Sequence, residues 1–163
     1  MNPLDLRIGL GFDLHRLEAG RPCRLGGIDL PHPTGPVGHS DGDAVLHALC
    51  DALAGAAGLD DIGTLFPDND PAHKGRDSVH FLDATLEAVY EAGFAPVNVD
   101  IVIATEGPRI APHRTAMRAR LAELLGVDIT RVNVKGKSLE GMGALAGGAG
   151  VAVQAVCLLA PRQ

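Results

Sequence analysis

Residues 6–15 read LRIGLGFDLH, and apolar side chains occupy every second position of this stretch. A period of two is typical of a half-buried β-strand. The apolar side of the predicted strand carries Leu6, Ile8, Leu10, Phe12 and Leu14. The other side carries Arg7, Gly9, Gly11, Asp13 and His15. Because side chains two apart point to the same face, Asp13 and His15 should leave one side of the strand near its end.

Downstream of this strand the hydrophobic pattern alternates between strands and helices. Strands are predicted over residues 23–30, 97–104, 132–135 and 150–159, and helices over residues 78–92 and 113–125. Ser40 precedes Asp43 by three residues, which predicts a capping box that opens a further helix running to about Ala57. We find no repeat and no linker, so residues 1–163 are predicted to form one domain. Its helices should pack against a sheet, in an α/β or α+β arrangement.

The composition excludes several classes of protein. Hydrophobic residues make up 46% of the 163 positions and charged residues 21%, which predicts a globular domain. The net charge of −6 argues against a nucleic-acid partner, because phosphate backbones are bound mainly by clustered Lys and Arg. No apolar run approaches the roughly 18 residues that span a membrane, and no secretory signal is evident. The three cysteines form no Cys-x-x-Cys pair, so we expect reduced core thiols in a cytoplasmic protein.

Two histidines and an aspartate form the first candidate site. Asp13 and His15 share a strand face, and His47 lies on the predicted helix in an apolar neighbourhood. Two His and one Asp are a usual ligand set for catalytic zinc, with the fourth position open. Asp43 or Asp51, one turn either side of His47, could accept the second imidazole N–H. The alternative is a chance Asp-x-His pair and an ordinary core histidine.

Two further segments carry polar residues beside this candidate site. His39 lies at the entrance of the predicted helix, where backbone N–H groups favour phosphate, although an exposed histidine next to an N-cap explains it equally well. Residues 58–76 form the longest stretch without periodicity, and such long loops are often functional. From the residues alone, a simple surface turn is the favoured explanation of its carboxylates.

Taken together, these segments resemble a known family. GFDLH at residues 11–15, HSDGD at 39–43 followed by His47, and GTLFPDND at 63–70 are similar to 2-C-methyl-D-erythritol 2,4-cyclodiphosphate synthases. The resemblance covers nearly the whole chain, in one order and with compatible spacing. It implies a single-layer mixed β-sheet with helices on one face, and a homotrimer in which the sheets face each other.

The resemblance also implies the metal ligands and the catalytic residues. Asp13, His15 and His47 match the zinc ligands, and Glu140 matches the carboxylate that binds a second ion, magnesium or manganese. His39 matches a transition-state stabiliser. Ser138 stands where the family commonly has a threonine that assists the reaction.

The implied substrate contacts fall into four groups along the chain. Asp13, His15, His39 and Ser40 match the groups around the phosphates, and Asp61, Ile62 and Gly63 match a segment that holds the methylerythritol part. Phe66, Pro67, Asp68, Asn69 and Asp70 match a loop over the same pocket. The cytidine-binding loop corresponds to Thr105, Glu106, Gly107, Pro108, Arg109, Ile110 and Ala111. The last group is Lys137, Ser138, Leu139 and Glu140.

The implied reaction is an intramolecular phosphoryl transfer catalysed by a metal-dependent phosphorus–oxygen lyase. The 2-phosphate of 4-diphosphocytidyl-2-C-methyl-D-erythritol 2-phosphate attacks the β-phosphorus, which gives the cyclic diphosphate and releases CMP. Such a reaction belongs to non-mevalonate isoprenoid precursor synthesis. An ionised phosphate nucleophile needs positioning and charge neutralisation rather than a strong base.

The chain departs from the family near its C-terminal end. The family's Phe, Arg and Glu positions are Ala144, Gly147 and Ala149 here, and Lys137 replaces a threonine. The Phe and Arg help to line a trimer-axis cavity that can hold an isoprenyl diphosphate, so such binding is not expected in this chain. Lys137 could instead supply a cation for a phosphate, or be an ordinary solvated lysine. Two alternative functions remain, a zinc-dependent phosphoester hydrolase and a non-catalytic nucleotide-binding trimer.

Overall fold

The computed structural model describes residues 5–67 and 75–162. Its strands are β1 (Arg7–Ala19), β2 (Cys23–Leu25), β3 (Ile28–Leu30), β4 (Thr34–Pro36), β5 (Phe94–Thr105), β6 (Val132–Lys137) and β7 (Gly150–Pro161). The α-helices are α1 (Ala44–Ala57), α2 (Ile62–Leu65), α3 (Ser78–Glu91) and α4 (Arg114–Leu125). Short 3-10 turns cover Ala111–His113, Ile129–Arg131 and Ala146–Gly148. The predicted site residues Asp68, Asn69 and Asp70 lie outside the described residues.

Five strands form one mixed sheet in the order β4-β1-β7-β5-β6. Only the pairing of β5 with β6 is parallel, and the other three pairings are antiparallel. Helix α1 packs on β1 and β7, α3 packs on α1 and β5, and α4 packs on β6. The predicted mixed sheet with helices against it is therefore confirmed.

Strand β1 has the predicted period of two, but its glycine side faces the core. Gly9 and Gly11 are buried against α1, whereas Ile8 is 74% exposed, Leu10 66% and Phe12 54%. A Cβ atom on Gly11 would lie 1.8 Å from the Ala48 carbonyl oxygen. Close packing of strand backbone on helix backbone therefore requires glycine here. The apolar side chains are left on the opposite face of the sheet.

Several predicted boundaries differ from the structure. The single strand expected over residues 23–30 is the β2–β3 hairpin, because Gly26 and Gly27 turn the chain with φ values of 67° and 73°. Ser40 does not cap α1. Asp43 is the N-cap, and its carboxylate accepts from the backbone N–H groups of Val45 and Leu46. The aperiodic stretch after α1 contains the short helix α2.

The three cysteines are buried and form no disulfide, as expected. Burial raises the pKa of the Cys50 thiol to about 12, so it stays protonated at neutral pH. Among the described residues, no helix combines the length and the apolar character needed to cross a membrane.

The contact between β1 and α1 gives a stability prediction. Gly11→Ala should lower the free energy of unfolding by about 3 kcal/mol, because the added methyl group has to push the strand off the helix. Gly55→Ala is the matched control, since Gly55 is exposed within α1 and its Cβ would contact nothing within 4 Å. That change should raise stability by about 0.5–1 kcal/mol. Urea unfolding at one fixed protein concentration measures both, and a Gly11→Ala protein as stable as the parent would contradict the described packing.

Candidate active site

Asp13, His15 and His47 converge where the middle of β1 faces the first turn of α1. The Asp13 Oδ2 atom lies 2.8 Å from His15 Nε2 and 3.1 Å from His47 Nδ1. The two ring nitrogens are 3.2 Å apart. The predicted convergence of these side chains is therefore confirmed, and they form a group that could hold a metal ion.

The hydrogen bonds of the two imidazoles show which nitrogen atoms are available as ligands. His15 Nδ1 lies 2.6 Å from the Val37 carbonyl oxygen, so it must carry a proton, and the neutral ring has its lone pair on Nε2. His47 Nε2 lies 2.9 Å from the Ser78 hydroxyl, which leaves the Nδ1 lone pair directed at Asp13 when Nε2 is protonated. Three electron-pair donors then face one another. Such an arrangement is stable only with a positive charge between them.

The spacing of these donors fits a small tetrahedral metal ion. Donor atoms around zinc lie about 3.3 Å apart, given metal–ligand distances of about 2.0–2.2 Å. Without a metal ion, a proton supplies the charge. Burial lowers the pKa of His15, but its contacts with Asp13 outweigh burial, and the pKa is raised overall. Burial likewise raises the pKa of Asp13, and the contacts with His15 and His47 reverse this and lower the pKa below its ordinary value. A metal ion has to displace that proton.

The prediction that Asp43 or Asp51 accepts the second N–H of His47 is wrong. Asp43 points away to the N-terminus of α1, and Asp51 accepts a hydrogen bond from the Ile62 backbone N–H at 2.8 Å. The second nitrogen of His47 instead contacts the hydroxyl groups of Ser78 and Ser40, the latter at 3.2 Å. Helical spacing placed the carboxylates on the correct helix, but both are held by backbone N–H groups.

The three donor residues line a cavity of about 370 Å³. His39 and Ser40 line its polar wall, and the predicted residues Ile62, Gly63 and Phe66 line the other side. Asp61 does not line it. Its carboxylate caps α2 by accepting from the Thr64 N–H at 2.8 Å. Asp51 fixes the start of α2 through Ile62, so α1 positions the far wall of the cavity as well as His47.

A second cavity, of about 580 Å³, lies beside the loop after β5. Its lining includes the predicted Thr105, Glu106, Pro108, Arg109, Ile110 and Ala111, together with Lys137 and Ser138 at the end of β6. Gly107 lies in the same loop, and its carbonyl accepts from the Thr105 hydroxyl. Two groups of residues that the resemblance implies separately, 105–111 and 137–138, therefore line one cavity.

Sheet register explains why these segments come together. His15 on β1 and Thr105 on β5 both pair with Val151, from opposite sides of β7. Ala104 pairs with Lys137 on β6. The metal-ligand strand, the loop after β5 and residues 137–138 therefore leave the same end of the sheet.

Cationic side chains dominate the second cavity. Arg109, Arg114, Lys135 and Lys137 line it, and Lys135 is paired with Asp100 at 2.6 Å. Such a lining favours an anionic ligand.

Two of the predicted residues, Leu139 and Glu140, line neither cavity. Glu140 is exposed, has a φ of 52°, and its backbone N–H donates to the Ser138 hydroxyl at 3.0 Å. The neighbouring loop is fixed by Glu106, whose carboxylate accepts from the N–H groups of Gly141 and Gly147 at 2.7 and 2.5 Å. Within one chain, Glu140 is therefore not brought to the metal donors.

Comparisons with known proteins agree with this geometry. The model of the YgbB family matches residues 6–160. The chain belongs to the YgbB family. A relative from Gemmatimonas aurantiaca, a 2-C-methyl-D-erythritol 2,4-cyclodiphosphate synthase, is 56% identical over 140 residues, which cover 86% of this chain and 84% of the relative.

Two solved structures show the same fold. A 2-C-methyl-D-erythritol 2,4-cyclodiphosphate synthase with bound CDP has a TM-score of 0.87 and 42% sequence identity, and the match covers 94% of this chain and 99% of that one. The bifunctional IspDF of Campylobacter jejuni has a TM-score of 0.91 and 36% identity. The match to it covers 96% of this YgbB-family chain but only 42% of the bifunctional chain.

Sequence reasoning missed some residues of both cavities in this YgbB-family protein. Phe81 lines the metal cavity and Ser78 contacts His47, both from α3. Arg114 lines the second cavity from the first turn of α4. Ser78 and Phe81 stand in an ordinary amphipathic pattern, so the sequence carries no local signal for them. Arg114 had one, since a cation in the first turn of a helix opposes the helix dipole.

Asp43 holds the helix that carries His47. It is fully buried, and its carboxylate accepts four backbone hydrogen bonds, from Gly26, Gly27, Val45 and Leu46. The bonds to the two glycines attach the β2–β3 turn to the start of α1. Burial raises the pKa of Asp43, although the backbone N–H groups oppose that shift.

Replacing this carboxylate should therefore weaken the fold. In Asp43→Asn the side-chain NH2 group replaces the oxygen that accepts from the Gly27 N–H, so that two donors face each other. The free energy of unfolding should therefore fall by about 1–3 kcal/mol. Asp128→Asn is the control, because Asp128 makes a similar cap at an exposed turn, and a much smaller change is expected. Equal changes for the two variants in chemical unfolding would contradict the special role of Asp43.

Proposed function

We propose that this protein is a 2-C-methyl-D-erythritol 2,4-cyclodiphosphate synthase. The observation that carries the proposal is the group of three donors, Asp13, His15 and His47, at the mouth of a cavity in a chain of this family. The substrate is 4-diphosphocytidyl-2-C-methyl-D-erythritol 2-phosphate. Its 2-phosphate oxygen bonds to the β-phosphorus, the bond from that phosphorus to the bridging oxygen breaks, and CMP leaves with the electron pair.

Asp13, His15 and His47 would hold zinc, and Glu140 would hold magnesium or manganese together with the substrate. When bound, these ions supply positive charge next to the phosphates and so favour the attack and the departure of CMP. The donor set supports zinc, since nitrogen and carboxylate ligands at this spacing suit it. Glu140 is exposed and holds no partner that would have to be displaced among the described residues.

The remaining residues around the metal cavity position the substrate. His39 is exposed at the cavity wall, where a cationic or hydrogen-bonding imidazole can contact a phosphate in the transition state. Ser40 is buried beside His47, and its hydroxyl contacts the Nε2 atom of that ring. Ile62, Gly63 and Phe66 form an apolar wall suited to the methylerythritol carbon chain. Asp61 fixes that wall by capping α2.

The second cavity would take the cytidine end of the substrate. The loop 105–111 supplies backbone groups for the base, and Arg109 and Lys137 supply cations for the phosphates. Among the residues that the structure describes, no carboxylate pairs with Lys137, which stands beside Ser138 in the cavity. A CDP-bound relative of the same fold supports a nucleotide-linked substrate.

We propose that the protein assembles as a homotrimer with active sites between subunits. The face of the sheet opposite the helices exposes Ile8, Leu10, Phe12, Leu14 and Val156. A continuous apolar face of this kind is normally covered by another protein surface. Among the described residues the two cavities have no lining residue in common, so the cytidine cavity of one subunit is free to serve the metal cavity of a neighbour.

Two smaller proposals accompany this assembly. Ala144 and Gly147 provide neither the ring nor the cation that an isoprenyl diphosphate would need, so we expect no such ligand on the trimer axis. The buried, unpaired cysteines favour a reducing compartment, and we place the protein in the cytoplasm.

The reaction can be tested directly. Zinc-loaded protein with magnesium and the proposed substrate should give equal amounts of CMP and cyclic diphosphate. Phosphorus NMR measures both products. His47→Ala should lose activity by a factor of about 100 or more, because a metal ligand is removed. His80→Ala is the control, since His80 lies on α3 and lines neither cavity. It should keep the parent rate.

The products separate the alternative functions. CMP with an open-chain product carrying solvent oxygen would show a zinc-dependent hydrolase. No CMP from folded, zinc-loaded protein would leave a non-catalytic nucleotide-binding trimer and overturn the synthase assignment.

The assembly has its own prediction. Light scattering should give three times the chain mass of 16.9 kDa. Leu10→Lys puts a charge into the exposed apolar face and should shift the protein towards monomer and lower its activity. Glu87→Lys, on the exposed side of α3, introduces the same side chain elsewhere and should remain trimeric. A parent protein with the mass of one chain would contradict the trimer.

A further inference from the structure

A chain of contacts runs from the metal donors past the N-terminal end of α3 to Arg24 on β2. Its first link is Ser78, a fully buried residue at the start of that helix. The Ser78 Oγ atom lies 2.9 Å from His47 Nε2, the ring nitrogen that faces away from Asp13. Its second partner is a carboxylate oxygen of Asp41, at short range.

These two contacts fix the direction of the protons. A serine hydroxyl has one proton to donate, and the Asp41 carboxylate can only accept. The Ser78 hydroxyl therefore donates its hydrogen bond to Asp41, and a lone pair of the same oxygen accepts a hydrogen bond from His47. His47 then carries its proton on Nε2 and directs the Nδ1 lone pair towards Asp13 and His15. This is the tautomer that the metal site requires.

Asp41 is itself held in place from three sides. It accepts from the backbone N–H groups of Ser78 and Asp43, each at 3.2 Å. The Arg24 guanidinium completes the set, with its Nε atom 3.5 Å from the Asp41 carboxylate. That distance is a charge contact rather than a well-formed hydrogen bond. The Nε atom of Arg24 is buried and has no hydrogen-bond partner among the described residues.

Arg24 also joins the chain to the cap of α3. Its Nη2 atom donates to Asp77 at 3.1 Å, and Asp77 caps α3 through the Val79 N–H. These contacts could serve only to cap α3. Asp77 alone caps the helix, however, so capping does not explain the Arg24–Asp41 and Asp41–Ser78 contacts. Orientation of His47 explains both.

We infer that Arg24, Asp41 and Ser78 are positioning residues that hold His47 in the metal-binding tautomer. Arg24 holds the Asp41 carboxylate in place, Asp41 accepts a hydrogen bond from the Ser78 hydroxyl, and Ser78 accepts one from the His47 ring. The inference rests on the proposed metal site. It goes beyond that proposal because none of the three residues is a metal donor or lines either cavity.

The test is a double-mutant cycle read as zinc affinity. Zinc affinities of the parent, Ser78→Ala, Asp41→Asn and the double variant are measured by competition with a chromophoric chelator. Each single variant should weaken zinc binding by about 10-fold or more, in the range seen when the partner of a ligating histidine is lost. Ser40, 3.2 Å from His47 Nε2, can accept in place of Ser78, which limits the loss.

Non-additivity is the deciding result. If Asp41 acts through Ser78, then Asp41→Asn costs little further affinity once Ser78 is Ala, because the link is already broken. Additive losses would mean that the two residues act separately, and would overturn the chain of contacts. Arg24→Met should weaken binding less than Ser78→Ala does, since it acts two links away.

A matched control separates positioning from general stability. Thr85→Val removes another fully buried hydroxyl of α3, one that donates to the Phe81 carbonyl at 2.8 Å and does not contact His47. It should lower the urea midpoint of the metal-free protein about as much as Ser78→Ala does, and leave zinc affinity unchanged. Zinc binding by Ser78→Ala within twofold of the parent overturns the inference alone. His47→Ala, which lacks a metal ligand, should bind no zinc. If the parent protein also binds none, the proposed metal site is overturned together with the inference.

Discussion

The approach of β1 to α1 is the constraint on which the rest of the structure depends. Gly9 and Gly11 have no side chain, and the strand backbone therefore reaches the carbonyl groups of α1. Asp13 and His15 follow Gly11 by two and four residues on the strand, and His47 lies in the first turn of the helix. The distance between the two backbones therefore sets the separation of Asp13 and His15 from His47. A strand held farther away by a methyl group would leave the three donors too far apart for one ion. Asp43 acts on the same geometry from the other side, because it fixes the start of α1 to the β2–β3 turn.

Much of the fold follows from the sequence because its signals are local. The period of two in residues 6–15 predicts β1, and the glycines after α3 and α4 mark where those helices end. Asp43 shows the limit of such signals. Ser40 and Asp43 fit a capping box by spacing, but the helix begins after Asp43, since its carboxylate reaches two N–H groups of the first turn and two more from the β2–β3 turn. The latter are sixteen or more residues away, and no local pattern shows them.

The candidate site divides in the same way. The donors Asp13, His15 and His47 were predictable because strand and helix spacing lets them converge and because the segments around them resemble a known family. The face of β1 that meets the core was not, since the apolar side chains lie outward and the glycines inward. Ser78 was also out of reach of the sequence, because it meets His47 only when α3 packs on α1. Nothing about a serine at a helix start distinguishes it from an ordinary polar residue.

The position of β7 in the sheet has a consequence for how the chain reaches this state. β7 lies between β1 and β5, and residues 150–161 supply the hydrogen-bonding partners of both. On the ribosome, β1 and α1 emerge first, yet the sheet cannot close until the segment after residue 150 has left the exit tunnel. Pairings that join distant parts of the chain form slowly. The apolar groups of β1 and β5 therefore stay accessible throughout synthesis, and this is the period in which a nascent chain would most need a chaperone.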